Sequence, residues 1–305
     1  MRFKGHAMQV KACKNRFSSR PGLIGGLISV ALFGIAASAP ATAAPYPGHK
    51  EWTAALAPFR IADNLYYVGS QDLTSFLIVT PKGDILLDGG VPENAPMILD
   101  HIRALGFDPH DIKILLNSHA HFDHAGVLAE IKVQTGAQMV ASRADTPVLE
   151  SGGKADFFFA KPMFQPVKVD RIIDDGDTVA LGGVTLAAHI TAGHTRGCTS
   201  WSMPLTVDGQ AKQALFICSL TILPGYRLSG DPNYPNLGQD FARSIKTLRA
   251  LPCDVFLASH GSFFDLTRKR EALLKGAEPN PFVDPAGCRA YIDRGEASLQ
   301  SNLAR

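Results

Sequence analysis

Ten residues, "NSHAHFDHAG" from Asn117 to Gly126, constrain this chain more tightly than any other stretch, because His119, His121, Asp123 and His124 fall within six positions. Imidazoles and a carboxylate buried together are costly unless something satisfies them. Four such groups converging point to something positive between them. The preceding "IKILLNS" is a buried-strand pattern, so His119 and His121 are expected on the loop beyond a strand, with Asp123 at the start of the helix "HAGVLAEIKVQTG". Two more histidines close turn or strand patterns, His194 in "AGHTRG" and His260 in "ASHGSF". Strand ends can aim several side chains at one point. Five imidazoles and one carboxylate make two sets of three donors, which suits zinc; three protein ligands leave a position open for water, whereas structural zinc is usually closed by four. His49, His101 and His110 read as surface or hydrogen-bonded core, and His189 as a structural residue inside a strand pattern.

Apolar runs bounded by Gly, Pro, Asp and Lys ("NLYYVG", "SFLIVT", "DILLDGG") open the chain's folded part as strands. "VPENAPMILDHIRALGF" follows at helical spacing. The second half repeats this grammar, with strands in "VTLAAHITAG", "ALFICSLTIL" and "CDVFLASHG". Its helices are expected in "LGQDFARSIKTLRAL", "SFFDLTRKREALLKGA" and "PAGCRAYIDRGEASLQSNL". Strands and helices alternating in two similar halves predict an α/β (α+β) fold, two sheets packed face to face with helices outside. No Gly/Ser or Pro-rich linker separates the halves, so residues 44–305 are expected to form one domain. The segment "SGGKADFFFAKPMFQPV" fits neither pattern, and its phenylalanines read as an apolar flap or as core cover.

Residues 1–43 carry six basic side chains and no acidic one, then the apolar run "GLIGGLISVALFGIAASA" and small residues. That is the pattern of a secretory signal peptide, with cleavage after Ala41-Thr42-Ala43. An uncleaved membrane anchor is the alternative. Export predicts a periplasmic protein without stable membrane association. Loss of that segment takes the chain from +2 to near −4, with no basic block to attract nucleic acid. Cys13 leaves with it, and Cys198, Cys218, Cys253 and Cys288 remain. In an exported protein four cysteines allow three disulfide pairings. Cys253–Cys288 and Cys198–Cys218 are preferred, with a metal thiolate at Cys198 or Cys218 as the alternative.

"SHAHFDHAG", "GHTRGCTSW" and "SHGSFFDL" together resemble the metallo-β-lactamase superfamily, most closely its subclass B3 β-lactamases. The resemblance implies an αββα sandwich with His119, His121 and His194 on one zinc and Asp123, His124 and His260 on a second. It further implies hydrolysis of a small-molecule β-lactam by a monomeric enzyme that confers antibiotic resistance, with a zinc-bound hydroxide as nucleophile and Asp123 as the catalytic carboxylate. Ser219 and Thr221 match hydroxyls that bind the substrate carboxylate, and Arg196 and Arg227 are further cationic candidates. In related lactonase- and glyoxalase-type hydrolases an Asp on the strand matching "ALFICSL" bridges the two metals, and none stands there. Lactone or thioester hydrolysis on the same fold and a non-catalytic zinc-binding role are the alternatives. The stretch "SQDLTS" departs from the family's usual Thr-x-Gly-Leu, which bears on substrate contacts at Ser70 to Leu73 and is expected to leave the metal site untouched.

Overall fold

The computed structural model describes residues 49–304. The signal-peptide reading, its cleavage site and Cys13 lie outside the described residues.

Among the described residues twelve strands form two sheets. The first runs β1 (Phe59–Ala62), β2 (Leu65–Tyr67), β3 (Phe76–Ile78), β4 (Asp84–Leu87), β5 (Ile112–Leu116), β6 (Gln138–Ser142) and β7 (Arg171–Ile173) in that order, antiparallel up to β4 and parallel beyond it. The second comprises β8 (Thr178–Leu181), β9 (Val184–Ile190), β10 (Thr199–Val207), β11 (Gln210–Ile217) and β12 (Val255–Ala258), arranged 12-11-10-9-8 and antiparallel except for the β11–β12 pair.

The uninterrupted apolar runs have a clear cause: the central strands are buried on both faces. In β4, Ile85 and Leu87 enter the core that joins the two sheets, while Leu86 points into the core beneath the first pair of helices. Phe76 and Ile78 against Leu77 in β3, and Ile114 and Leu116 against Leu115 in β5, repeat the alternation. The helices covering that outer face are α1 (Ala95–Ala104), through Ile98, Leu99 and Ile102, and α3 (Leu128–Thr135), through Leu128 and Ile131. On the opposite side α5 (Leu237–Ala250) buries Leu237, Phe241, Ile245 and Leu248, one helical stripe, and α7 (Pro285–Leu303) buries Cys288, Ile292 and Leu299. The layers are helix, sheet, sheet, helix. Cys253 is bonded to Cys288, tying the entry of β12 to α7, and Cys198 is bonded to Cys218.

Two local departures from sequence pattern matter for the site. "HAGVLAEIKVQTG" is not one helix. A short α2 (Phe122–Ala125) breaks before α3, because the Gly126 N–H bonds the Gly90 carbonyl at 2.9 Å and a Cβ there would meet the Phe122 carbonyl and Pro92. The phenylalanines of the 151–167 segment divide their roles: Phe157 joins the inter-sheet core, Phe164 the helix-covered core, and Phe158 is exposed. The remaining helices are α4 (Thr146–Ser151) and α6 (Leu266–Leu274).

Candidate metal centre

β5, β9, β11 and β12 all end at one edge of the sandwich, and the ligand-type residues follow those ends. The loop after β5 is held firmly. Asp88, at φ 59° just beyond β4, accepts from the Ser118 N–H at 2.6 Å and from Asn117 Nδ2 at 3.0 Å. A left-handed backbone is tolerable for Asp and costly for bulkier residues. Trp201 of β10, fully buried, donates from Nε1 to the Asn117 carbonyl. Asp145 ties this loop to the one carrying His194: its carboxylate accepts from the Ala120 N–H, the Thr195 hydroxyl and the Gly197 N–H at 3.0, 2.8 and 2.9 Å. A Cβ on Gly197 would collide with the Ser142 hydroxyl and the Asp145 amide, so this approach needs glycine.

These supports bring all six sequence-predicted ligands together. Nitrogens of His119, His121 and His194 all lie within 4.8 Å of one another, with His121 Nδ1 and His194 Nε2 only 3.2 Å apart. Beside them Asp123 Oδ2 stands 3.4 Å from His124 Nε2 and 3.6 Å from His260 Nε2, which are themselves 3.2 Å apart. His119 links the two sets, because it also groups with Asp123 and His124.

The outer ring nitrogens settle which way the lone pairs point. His194 Nδ1 bonds the Thr221 carbonyl at 2.7 Å, and His260 Nδ1 bonds Asp72 Oδ2 at 2.8 Å. Those acceptors fix a proton outside and leave each Nε2 lone pair aimed at the cluster. His119 Nδ1 lies 3.0 Å from the Ser118 hydroxyl, while its Nε2 is buried without a hydrogen-bond partner among the described residues. His124 Nδ1 faces Asp88 at 3.6 Å and His121 Nε2 faces Asp156 at 3.7 Å. Converging imidazole nitrogens, with the outer nitrogens of His194 and His260 hydrogen-bonded and Nε2 of His119 buried and orphaned, are what a divalent cation would satisfy. The residues fit one in each set.

Protein charges alone divide the imidazoles. Burial, then the neighbouring imidazoles, push His119 well below the ordinary histidine range and His194 down to about 3, which keeps both neutral. Burial also lowers His124 and His260, but Asp123 outweighs it, with help from Asp88 and Asp72 respectively, and both move upward. Asp123 would be raised by burial, yet His124 and His260 hold it well below the carboxylate range. Asp72, opposed by burial in the same way, is brought down to about 2 chiefly by His260.

The centre opens into a cavity of about 450 Å³ lined by His121, Asp123, His194 and His260, by the hydroxyl residues Ser219 and Thr221, and by an apolar wall of Trp52, Phe122, Phe159, Leu223 and Phe263. That volume accommodates a small molecule. Cys218 lies beneath, its sulfur 3.6 Å from His119 Nδ1 but engaged in the disulfide with Cys198.

Several sequence expectations need adjustment. Arg196 does not line the cavity: it bonds the Asn233 carbonyl and lies over the Phe157 and Tyr234 rings, and Arg227 is likewise absent from the lining. His49 is a wall residue stacked on Trp52 at 4.1 Å, whereas His101 bonds the Val68 carbonyl and His189 the Ser202 hydroxyl. The "SQDLTS" stretch does reach the metal centre, because Asp72 orients His260. Asp72, Asp88, Asp145 and Asp156 were not anticipated. Only Asp88, closing the apolar run of "LLDGG", carries a recognisable strand-end signal.

Comparison with known proteins places this geometry. The native FEZ-1 metallo-β-lactamase from Legionella gormanii is 47% identical and superposes with a TM-score of 0.81 over 82% of this chain and 97% of that one. The chain belongs to the metallo-β-lactamase superfamily. Its sequence profile matches residues 72–207. BJP-1, a subclass B3 metallo-β-lactamase of Bradyrhizobium japonicum, is 41% identical, with a TM-score of 0.78 over 84% of this chain and 96% of that one. The chain is thus a hydrolase of the metallo-β-lactamase type with a subclass B3 likeness. A probable metallo-hydrolase of Burkholderia pseudomallei is 28% identical over 166 residues, 52% of this chain, and the match spans only 54% of that relative's length. Superfamily relatives also include N-acyl homoserine lactonases and hydroxyacylglutathione hydrolases.

Proposed function

We propose that this hydrolase opens the β-lactam amide of penicillins, cephalosporins and carbapenems using two zinc ions per chain, acting as a monomer in the periplasm and conferring antibiotic resistance. The observation that carries the reading is two complete three-donor sets with nothing bridging them from the end of β11, where Cys218 is tied up in a disulfide and Ser219 faces the cavity. That arrangement supports a β-lactamase over the lactonase- and thioesterase-type relatives, in which an Asp bridges at this place. The basic start, apolar run and Ala-x-Ala of residues 1–43 support export.

His119, His121 and His194 would hold one zinc, and Asp123, His124 and His260 the other. Zinc held by these residues would supply Lewis acidity there, towards a carbonyl and towards water, whose pKa zinc lowers to about 7. The protein's own groups do the rest. Asp123 is 12% exposed at its side chain, so one carboxylate can serve the ligand set while accepting a hydrogen bond from the attacking water and passing its proton towards the leaving nitrogen. Ser219 and Thr221 at the cavity wall offer hydroxyls to the substrate carboxylate. Trp52, Phe159 and Phe263 enclose the fused ring and exclude water around it.

Nitrocefin turnover that a chelator abolishes and zinc restores is the expected result, with kcat/KM for a penicillin, a cephalosporin and a carbapenem exceeding that for an acyl homoserine lactone or a thioester. The reverse order would overturn the substrate assignment. Two equivalents of tightly bound zinc without turnover of any of these would instead indicate a metal-binding protein.

A further inference from the structure

We propose that Asp156 is a positioning residue that couples the Phe157–Phe159 flap to the cation held by His121, so that metal capture and flap order rise and fall together. This rests on the reading of His119, His121 and His194 as a cation site.

Asp156 is 5% exposed, and its two carboxylate oxygens face opposite ways. Oδ1 accepts from the Phe158 N–H at 2.8 Å and the Phe159 N–H at 2.7 Å, which sets the flap's backbone turn. Oδ2 faces His121 Nε2 at 3.7 Å, and no other partner for that buried nitrogen exists among the described residues. His121 turns its other nitrogen, Nδ1, towards His194 and the cluster. One imidazole therefore stands between the cation position and the carboxylate that shapes the flap. The flap returns to the site by two further routes. The Phe159 ring packs edge-on against His121 with centroids 5.2 Å apart and lines the cavity. Phe158 packs on Tyr226, whose hydroxyl donates to the His194 carbonyl at 2.7 Å.

A separation of 3.7 Å is longer than a hydrogen bond, so the Asp156 carboxylate acts on the His121 ring through its field. A cation on Nδ1 withdraws electron density from the ring and makes Nε2–H a stronger donor, which strengthens its attraction to Asp156. A carboxylate held in place on that side also holds in place the two flap amides that donate to its other oxygen. Linkage requires the converse: a flap locked by Asp156 raises cation affinity by the same factor. A carboxylate that merely caps a turn would do neither.

Amide hydrogen exchange of residues 154–164, measured with saturating zinc and after chelation, tests the coupling, alongside zinc affinity by chelator competition. In the wild type zinc is expected to slow exchange about tenfold. Asp156→Asn keeps an oxygen for the flap amides but removes the charge facing His121; the zinc effect on exchange should fall below about twofold and zinc affinity should drop about 10- to 100-fold. Phe159→Ala, which leaves the carboxylate in place, should retain the zinc-dependent protection. His121→Ala, probed from the other side of the pair, should abolish it even if Asp156→Asn does not fold. Wild-type protein that binds no zinc overturns the metal-site reading. Wild-type protein that binds zinc with unchanged flap exchange, or an Asp156→Asn protein with undiminished zinc-dependent protection, overturns the coupling.

Discussion

Replacing Asp72 by Ala removes the acceptor that orients His260 and leaves His260 itself in place. In the folded chain Asp72 Oδ2 bonds His260 Nδ1 at 2.8 Å and Oδ1 accepts from the Ser262 N–H at 2.8 Å. The ion-pair contact is largely shielded from water, with side-chain exposures of 15% for His260 and 14% for Asp72. A hydrogen bond involving a charged group contributes about 1.5–3 kcal/mol. Loss of an outer partner of a metal-bound histidine lowers affinity about 10- to 100-fold, or roughly 1.4–2.8 kcal/mol. The two routes agree, so about 2 kcal/mol of zinc affinity should be lost. The loss should be confined to the Asp123, His124 and His260 set, because the outer partners of His119, His121 and His194 are Ser118, Asp156 and the Thr221 carbonyl. Competition against a chromophoric chelator, with zinc counted on the dialysed protein, should show one of two equivalents weakened. Asp72→Asn, which keeps a neutral acceptor, should fall between wild type and Ala. His260 also remains anchored through its bridge to Leu73, so the melting temperature should change little. Equal weakening of both equivalents, or none at all, would refute the claim that Asp72 acts through His260.

Zinc binding should release protons and weaken as pH falls: Asp123 raises His124 and His260 against burial, and a cation has to displace those protons. Calorimetry in buffers of different ionisation enthalpy would count them, and affinity should fall about tenfold per pH unit for each one displaced. Asp84, buried in β4, is raised to about 6 by burial and by Asp111, against the Thr80 N–H and Lys113. A raised carboxyl contributes stability that is present below its unfolded value and lost as pH climbs through 6. Asp84→Asn should therefore stabilise the protein at pH 7–8 by about 1–2 kcal/mol after screening, and by nothing near pH 4, as denaturant melts at the two pH values would show. The Cys253–Cys288 bond closes a sequence separation of 35 residues. Replacing both cysteines by Ser should cost roughly 3–4 kcal/mol and loosen α7 first, visible as faster amide exchange across Pro285–Leu303; uniform loosening would contradict that order.

Seven of the twelve described strands and the six donors were legible because each is a local property of the sequence. An uninterrupted apolar run marks a strand buried on both faces, and a histidine directly after such a run sits at a sheet edge whatever else the chain does. The nine-residue β10 and the shorter β1, β6, β7 and β8 were not legible. The shorter four lie at or near the edge of their sheet, and β1 and β7 keep exposed positions that weaken the periodic signal; β10 is central, but its Thr, Ser and Pro204 interrupt the apolar run. The break between α2 and α3 was hidden as well, since Gly126 is forced by the approach of Pro92, not by its own neighbours.

What the sequence by itself determined is the chemistry available at the site: five imidazoles and one carboxylate at strand ends, in two sets of three. The tertiary structure alone decided which carboxylates stand behind them. Asp72 meets His260 across 188 residues of chain, and Asp145 joins loops 25 and 50 residues away. The chain holds 28 acidic residues, and no spacing rule separates these few from the rest. Spacing governs only residues on one element, whereas an outer partner is chosen by the packing of two.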